Sequence, residues 1–530
     1  MLCRSFFCLY YLRRIQPCCW KSPSILTTRK TLMIDCVSFP VFSSSKKLYS
    51  RPTVTDRLLQ QAIAQVLTPL FDPQFSMLYS HQPDPQLDFE LVCIEHLVPD
   101  DHLLRHISKY MDFSFITEKV RPYYSETHGR PSIDPVMLFK MLFIGYLYGI
   151  RSERQLEQEI NLNVGYRWFL GIGLSKKAPD HSTISWNRKK RFKDTTVFQD
   201  IFDEVVRLAI ENRMVAGRVL VTDSTHLKAN ANKRKHNVQV VERSPQEYIE
   251  ELEKAIEEDR RTLGKKSLKV REEVVETKEI KVSTTDPESG YMVRDGKPEG
   301  FFYLDHRTVD HKFNIITDVH VTPGNVHDSV PYVERLKYQI EKFGFTESLE
   351  AVAVDSGYLT PHICKELQQM KVFAVIGGRS FTPVKGLMKK WQFKFDAEKN
   401  VYVCPAKHEL KYSTTNREGY REYKSNPKHC KDCPLLEACT RAKNKQKVIT
   451  RHVWEDSKEW VRLNRLSKSG KYLYRLRYQT IERSFADAKE LHGLRYCRLR
   501  GRDNVQEQAL MTATVQNIKK IALHLAKKAK

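Results

Sequence analysis

A chain of 530 residues is long enough to bury a sizeable core and to fold as two to four units. Its 41% hydrophobic and 29% charged residues are the balance of an ordinary folded protein, which argues against a disordered tail. No run approaches the roughly 20 apolar residues of a membrane-spanning helix. The 88 Lys and Arg against 64 Asp and Glu leave a formal charge of +24. Such a charge draws polyanions over long range and puts nucleic acid first among partners, although a merely basic protein carries the same charge.

Residues 1–76 read poorly as a domain: Cys18-Cys19, Ser43-Ser44-Ser45 and a single acid, Asp35, before Asp56. They read either as a start that mimics an organelle transit peptide or as translation from an over-extended start codon upstream of Met77. From 77 to 205 apolar residues recur at helical spacing, among them Val136, Leu138, Phe139, Met141, Leu142 and Tyr146, with Pro131 and Pro135 marking an entry. This predicts an all-helical domain. It ends in Pro179-Asp180-His181-Ser182, a capping signal, followed by a helix with Arg188, Lys189, Lys190 and Arg191. That helix reads equally as one laid along DNA, with Arg188, Lys189 and Lys190 on phosphates, and as a solvated basic face.

Residues 206–380 alternate strand and helix signals, which predicts an α/β unit with a mixed sheet. Arg218–Asp223 and Leu349–Asp355 are apolar runs that each end in an Asp. Gly300–Leu304 and Phe313–Val321 read as paired strands before a Pro323-Gly324-Asn325 turn, and Val372–Gly378 as a further strand. Helices are expected around 330–342 and 361–370. A charged helical insertion is expected at about 235–285, densest between Glu242 and Lys281. Residues 381–455 form an insertion with a cysteine cluster, and 456–530 turn helical again and end in a basic tail.

Phosphodiester chemistry by paired divalent ions needs hard oxygen ligands on adjacent elements. Asp223 and Asp355 sit where neighbouring strands would bring them together, although an Asp at a strand end is also a common turn former. A third acid, Glu482, lies on a helix. At 3.6 residues per turn Arg475, Tyr478, Glu482 and Lys489 fall near one face, with Ile481, Phe485 and Ala488 as the apolar stripe. Glu482 can then face the sheet edge between cations suited to phosphate, and a solvated amphipathic helix has the same periodicity.

Val221-Thr222-Asp223-Ser224-Thr225, Val354-Asp355-Ser356-Gly357-Tyr358 and Ile481-Glu482-Arg483-Ser484-Phe485-Ala486-Asp487-Ala488-Lys489 together resemble the three acidic blocks of DDE insertion-sequence transposases of the IS-four superfamily. The helical region from Val98 to Arg191 is similar to the N-terminal domain common in that family. Asp305–Asp310 and Gly324-Asn325-Val326-His327-Asp328 are further family-like text, with Asp328 expected near the metals. The resemblance implies a ribonuclease-H-like catalytic core with a helical DNA-binding domain. It also implies Asp223, Asp355 and Glu482 as catalytic ligands of two Mg²⁺ or Mn²⁺ ions, and DNA cleavage at element ends followed by strand transfer. A homodimer acting in the bacterial cytoplasm goes with that chemistry. The family's third block often reads Tyr-x2-Arg-x3-Glu-x6-Lys, whereas this chain has Arg475-x2-Tyr478-x3-Glu482-x6-Lys489, with Tyr and Arg exchanged. An overlapping Tyr474-x2-Arg477 pair has the internal spacing but sits one residue too far from Glu482. A nuclease without joining and an inactive DNA-binding relative are the alternatives.

Of twelve cysteines, five precede residue 37 and four fall between Cys404 and Cys439. Cys404, Cys430, Cys433 and Cys439 include one Cys-x2-Cys, and four thiolates suit a structural Zn²⁺, against the alternative of unligated or redox-active thiols.

Overall fold

The protein is described here by a computed structural model covering residues 62, 92–125, 127–128, 132–242, 248–269, 277–293, 299–378 and 386–529. The chain divides into two units, Met1–Glu90 and Leu91–Lys530. All elements below belong to the second, and the extension expected at 1–76 lies, but for residue 62, outside the described residues.

The helical region includes α1 Leu103–Tyr110, α2 Pro135–Leu147, α3 Glu153–Leu162, α4 Val164–Leu170, α5 His181–Trp186 and α6 Val197–Glu211, with shorter helices at Ile94–Leu97 and Phe115–Val120. Side-chain caps set several starts: Asp134 accepts from the Val136 and Met137 amides, Asn163 from Tyr166 at 3.1 Å, and Asp180 from Ser182 at 2.7 Å. α2 is buried almost all round from Leu138 to Leu147. A helix apolar on every side belongs inside a core rather than on its surface.

The stretch that carries the central sheet and a separate two-stranded ribbon follows: β1 Val219–Lys228, β2 His236–Glu242, α7 Ile249–Thr262, β3 Thr277–Ser283, β4 Gly290–Met292, β5 Gly300–Asp310, β6 Ile316–Pro323, α8 Tyr332–Phe343, β7 Ala351–Val354, α9 Pro361–Gln369 and β8 Phe373–Ile376. β5 pairs antiparallel with β1, β4 and β6, while β7 runs parallel to β1 and β8 parallel to β7. β6-β5-β1-β7-β8 is therefore three antiparallel strands followed by two that return through helical crossovers. The expected hairpin and the expected helices near 330–342 and 361–370 are present. The charged insertion is only partly helical: α7 is its helix, and its ends pair as the antiparallel ribbon β2–β3. β-Branched residues at alternate positions, Val238 and Val240 on β2 and Ile280 and Val282 on β3, favour strands there in spite of the charge density.

A second, antiparallel sheet in the order β13-β12-β11-β10-β9 comprises β9 Lys394–Asp396, β10 Val401–Val403, β11 Glu409–Thr415, β12 Tyr420–Ser425 and β13 Val448–His452. It has a small core of its own: Phe393, Tyr402, Leu410, Tyr423 and Ile449. α7 docks on it through Arg260, which donates to the Thr415 carbonyl at 2.6 Å, and Asp259, which pairs with Arg421 at 2.6 Å.

The chain closes with α10 Glu455–Leu466, α11 Lys468–Arg477, a π-helical turn Tyr478–Glu482, α12 Arg483–Glu490 and α13 Arg502–Lys528. α13 packs on α1, α2, α6 and β6, so the helical region and the central sheet share one continuous core. Polar pegs fix α13 to the sheet. The Asn517 side chain accepts from the Ile316 amide at 2.9 Å and donates to its carbonyl at 2.8 Å. Gln516 accepts from Arg307 at 2.8 Å, and Arg307 in turn holds Asp305, both fully buried. The family-like text at 305–310 thus forms part of the core of β5.

Candidate active site

Two strands bring the first two acids together by register. β1 and β7 stay paired through Thr222 and Val354, and the next residues are Asp223 and Asp355. Asp223 is not at a strand end as the sequence suggested. β1 runs on to Lys228 because β5 continues to pair with it, Asp223 lying opposite Arg307. What ends at Asp223 is the pairing with β7, which opens a notch between the strands.

Arg477, at the end of α11, fills that notch. Its Nη2 lies 2.6 Å from Asp223 Oδ2 and its Nη1 3.5 Å from Asp355 Oδ1, so one guanidinium spans both carboxylates. Nη1 also donates to the Tyr474 hydroxyl at 3.3 Å. Gly377, just past β8, makes room: a Cβ there would sit 2.8 Å from that hydroxyl and 2.7 Å from the Ser356 amide nitrogen. Burial pushes the Asp223 carboxyl up to about 6. Arg477 and the Ser224 amide pull the other way, and Asp355 adds repulsion. Burial of an acid beside another acid is how a carboxylate pair comes to need a cation.

Asp328 joins them. Its Oδ1 accepts from the Ser224 hydroxyl at 2.7 Å, and its Oδ2 lies 3.5 Å from where a Cβ on Gly357 would be. The loop after β6 therefore reaches the residues that follow both acids.

The third block is arranged differently from the expectation. Arg475 and Tyr478 are exposed, Tyr478 at 68%, and Arg477 rather than either of them turns to the acids. The π-helical turn is the cause. Such a turn holds one residue more than an α-helical one, so a face drawn at 3.6 residues per turn slips by one position across it. The same extra residue explains the spacing. Tyr474-x2-Arg477 is followed by four residues before Glu482, and the surplus one is stored in the turn. It is Tyr474 and Arg477, the overlapping pair that the sequence places one residue too far from Glu482, that lie at the acids. Lys489 faces inward, donating to Thr225 Oγ1 at 2.5 Å on β1. Glu482 is exposed on the π-helical turn. Asp223, Asp355 and Glu482 do not lie within 4.8 Å of one another; among the described residues the clusters that tight are Glu157–Asp180–His181 and Glu251–His362–Glu366.

Of the basic residues expected on DNA, Lys189 and Lys190 are exposed, while Arg188 is buried. It ion-pairs with Glu153 of α3 and lies 3.5 Å from Glu507 of α13. Arg188 is thus an internal tie, a correction to its expected place on phosphate. The reason is again local: Asn187–Arg191 is a π-helical turn that rolls Arg188 onto the core. A second basic surface went unnoticed in the sequence. A cavity of about 640 Å³ at the far end of β1 is lined by Arg151, Lys228, Lys235, Arg498 and Arg500 with no acid among its lining residues. Its cations come from four separate stretches, so no local run announces it. Cys404, Cys430, Cys433 and Cys439 line one small cavity beside the second sheet.

Two family models match the chain: a transposase domain over residues 92–190 and a transposase DDE domain over residues 403–522. The chain carries the domains of a DDE-type insertion-sequence transposase. No curated protein matches it. The first match spans α1 to α5 and takes in Arg188, Lys189 and Lys190; the second takes in the second sheet from β11 onward, Arg477, Glu482 and Lys489. In this transposase Asp223 and Asp355 lie between the two matched stretches, so their assignment rests on register and on Arg477. No described helix of the transposase is long and apolar enough to cross a membrane.

Proposed function

We propose that this transposase cuts DNA at the ends of its element and joins the freed 3′ ends to target DNA, with Asp223, Asp355 and Glu482 as its acidic residues. The observation that carries the reading is the convergence of Asp223 and Asp355 on one guanidinium at the point where β1 and β7 part. The strand order β6-β5-β1-β7-β8, three antiparallel then two parallel, supports a ribonuclease-H-like core.

The residues fit divalent metal. Two carboxylates with Asp328 behind them are hard oxygen donors, and the half-buried Asp223 is stabilised as an anion by a cation beside it, a place Arg477 holds here. Asp223, Asp355 and, from the π-helical turn, Glu482 would hold two Mg²⁺ or Mn²⁺ ions. When bound, these supply activation of the attacking hydroxyl and stabilisation of the leaving oxygen. Arg477, at the same corner, would then be free to hold a phosphate, where its fork suits two oxygens at once. Ser224 and Asp328 orient Asp223, and Lys489 holds the third-block helix against β1. The cationic cavity at the end of β1, five residues and roughly 16 Å from Asp223, grips the backbone of the duplex. Lys189 and Lys190 offer a second exposed grip. The chemistry needs two DNA ends in one complex, hence a homodimer, working on DNA in the bacterial cytoplasm.

Incubating the protein with its element's end DNA and Mg²⁺ tests this. Cleavage and joined products are expected, with a loss of at least about a hundredfold in Asp223→Asn, Asp355→Asn and Glu482→Gln. Undiminished cleavage in all three would sink the assignment. Cut but never joined products would favour a nuclease, and DNA binding without cleavage in the unmodified protein an inactive relative.

A further inference from the structure

The second sheet poses a stability problem of its own. Its core is five buried side chains, Phe393, Tyr402, Leu410, Tyr423 and Ile449, with Met388, Phe395, Cys404, Tyr412 and Cys439 packed partly buried around them. A unit of fewer than about 70–80 residues rarely holds itself together on so small a core and is usually stapled by disulfides or a metal. None of its cysteines is disulfide-bonded.

We infer that Cys404, Cys430, Cys433 and Cys439 form a tetrahedral structural zinc site that closes the second sheet onto the segment between β12 and β13. The four come from two places in the chain. Cys404 follows β10 in a tight turn, where its carbonyl accepts from the Lys407 amide at 2.8 Å and its sulfur accepts from the His408 amide at 3.3 Å. An amide aimed at sulfur stabilises a thiolate. Cys430, Cys433 and Cys439 follow β12 on two one-turn helices, Pro427–Cys430 and Leu436–Cys439, joined by a Cys-x2-Cys turn in which the Cys433 amide donates to the Cys430 carbonyl at 3.3 Å.

All four line one cavity of about 30 Å³, otherwise walled mainly by apolar groups such as Phe393 and Leu410. That is room for an ion and little else. No three of the sulfurs lie within 4.8 Å of one another among the described residues, so χ1 rotation must draw them in. All four thiols are half-buried at the cavity wall and have that freedom. Soft sulfur donors with no carboxylate among them select Zn²⁺ over Mg²⁺. Binding releases the four thiol protons to solvent and leaves a complex of net charge −2. Lys447 lines the same cavity, its ammonium 2.7 Å from the Cys439 carbonyl, and offsets part of that charge. The Ser425 hydroxyl, which now accepts from the Cys430 thiol at 3.2 Å, can turn to donate to the thiolate. Zinc here is separate from the proposed DNA chemistry and stands or falls without it.

Metal content of the full-length protein, purified and then exposed to Zn²⁺ and dialysed, is the first test. One zinc per chain is expected, lost in Cys430→Ser with Cys433→Ser and unchanged in Cys364→Ser, which alters a buried thiol elsewhere. Replacement by Co²⁺ reads the ligands without relying on the variant's folding: intense thiolate charge-transfer bands and the visible bands of a tetrahedral ion are expected. Absence of zinc, zinc retained by the double variant, or a Co²⁺ spectrum without thiolate bands would each overturn the inference.

Discussion

Arg477 is the residue on which the acid corner depends, because its charge opposes the effect of burial on the Asp223 carboxyl and its other nitrogen reaches Asp355. Asp223 titrates near 6 in the folded chain against an ordinary 3.8, so folding takes up a proton there. Its contribution to stability is complete below about pH 4 and is lost as pH rises through about 6. In Arg477→Met the opposing charge is gone and the Asp223 carboxyl rises further. The variant should therefore lose about 2 kcal/mol relative to the parent at pH 8, a figure kept low because Asp355 is partly solvated, and nearly nothing at pH 4. Unfolding by denaturant at the two pH values measures this, and an equal loss at both would mean that packing rather than charge is at stake. Glu507 gives a second case with the same sign. It is fully buried on α13 and pushed up to about 7, Arg188 only partly opposing the burial. Its ionisation costs stability as pH rises through 4.5 to 7, so Glu507→Gln should gain up to about 3 kcal/mol at pH 8 and nothing at pH 4. A gain independent of pH would show that Glu507 is not charging.

Among the elements, the π-helical turn at Tyr478–Glu482 decides which side chains face the acids. Both ends of the long helix are anchored, Arg477 on Asp223 and Lys489 on Thr225, and the surplus residue sits between them. Deleting Gln479, an exposed member of the turn, should let it rewind as α-helix with both anchors kept and the three-residue spacing to Glu482 restored. A folded protein whose melting temperature moves by no more than a few degrees is expected; loss of cooperative unfolding would mean that the turn does more than store one residue. The strands around Asp223 and Asp355 were legible in the sequence because buried parallel strands are unbroken apolar runs. On the helix at 475–489 the apolar stripe of Ile481, Phe485 and Ala488 was legible and is buried, but the turn of Arg477 toward the acids was not, because periodicity assumes a constant 3.6 residues per turn. The ribbon β2–β3 was missed for a related reason: its exposed Glu and Lys mask a period-two alternation that pairing, not burial, makes use of.

At the level of the whole molecule, the charge of +24 showed that the protein has cations to place on a polyanion but not where they gather. The expected site, the basic turn after α5, proves half internal because Arg188 ties α3 and α13 together. The cavity at the end of β1 collects its cations only through the fold: Arg151 follows α2, Lys228 ends β1, Lys235 precedes β2, and Arg498 and Arg500 precede α13. Of these, Lys228, Lys235 and Arg500 are exposed and can each meet a phosphate. Neutralising a phosphate releases condensed counterions, which makes the logarithm of the binding constant fall with the logarithm of salt by about 0.9 per contact on duplex DNA. Replacing all three by Ala should therefore flatten that dependence by about 2.7 and weaken binding similarly for any sequence. Replacing Lys189 and Lys190 should flatten it by about 1.8 if the turn after α5 is a second grip, and by nothing if it is only a solvated face. Titrations of element-end and unrelated duplexes between roughly 50 and 200 mM salt read both slopes. An unchanged slope in the triple variant would remove the β1 cavity from the DNA path, whatever the fate of the acids at its other end.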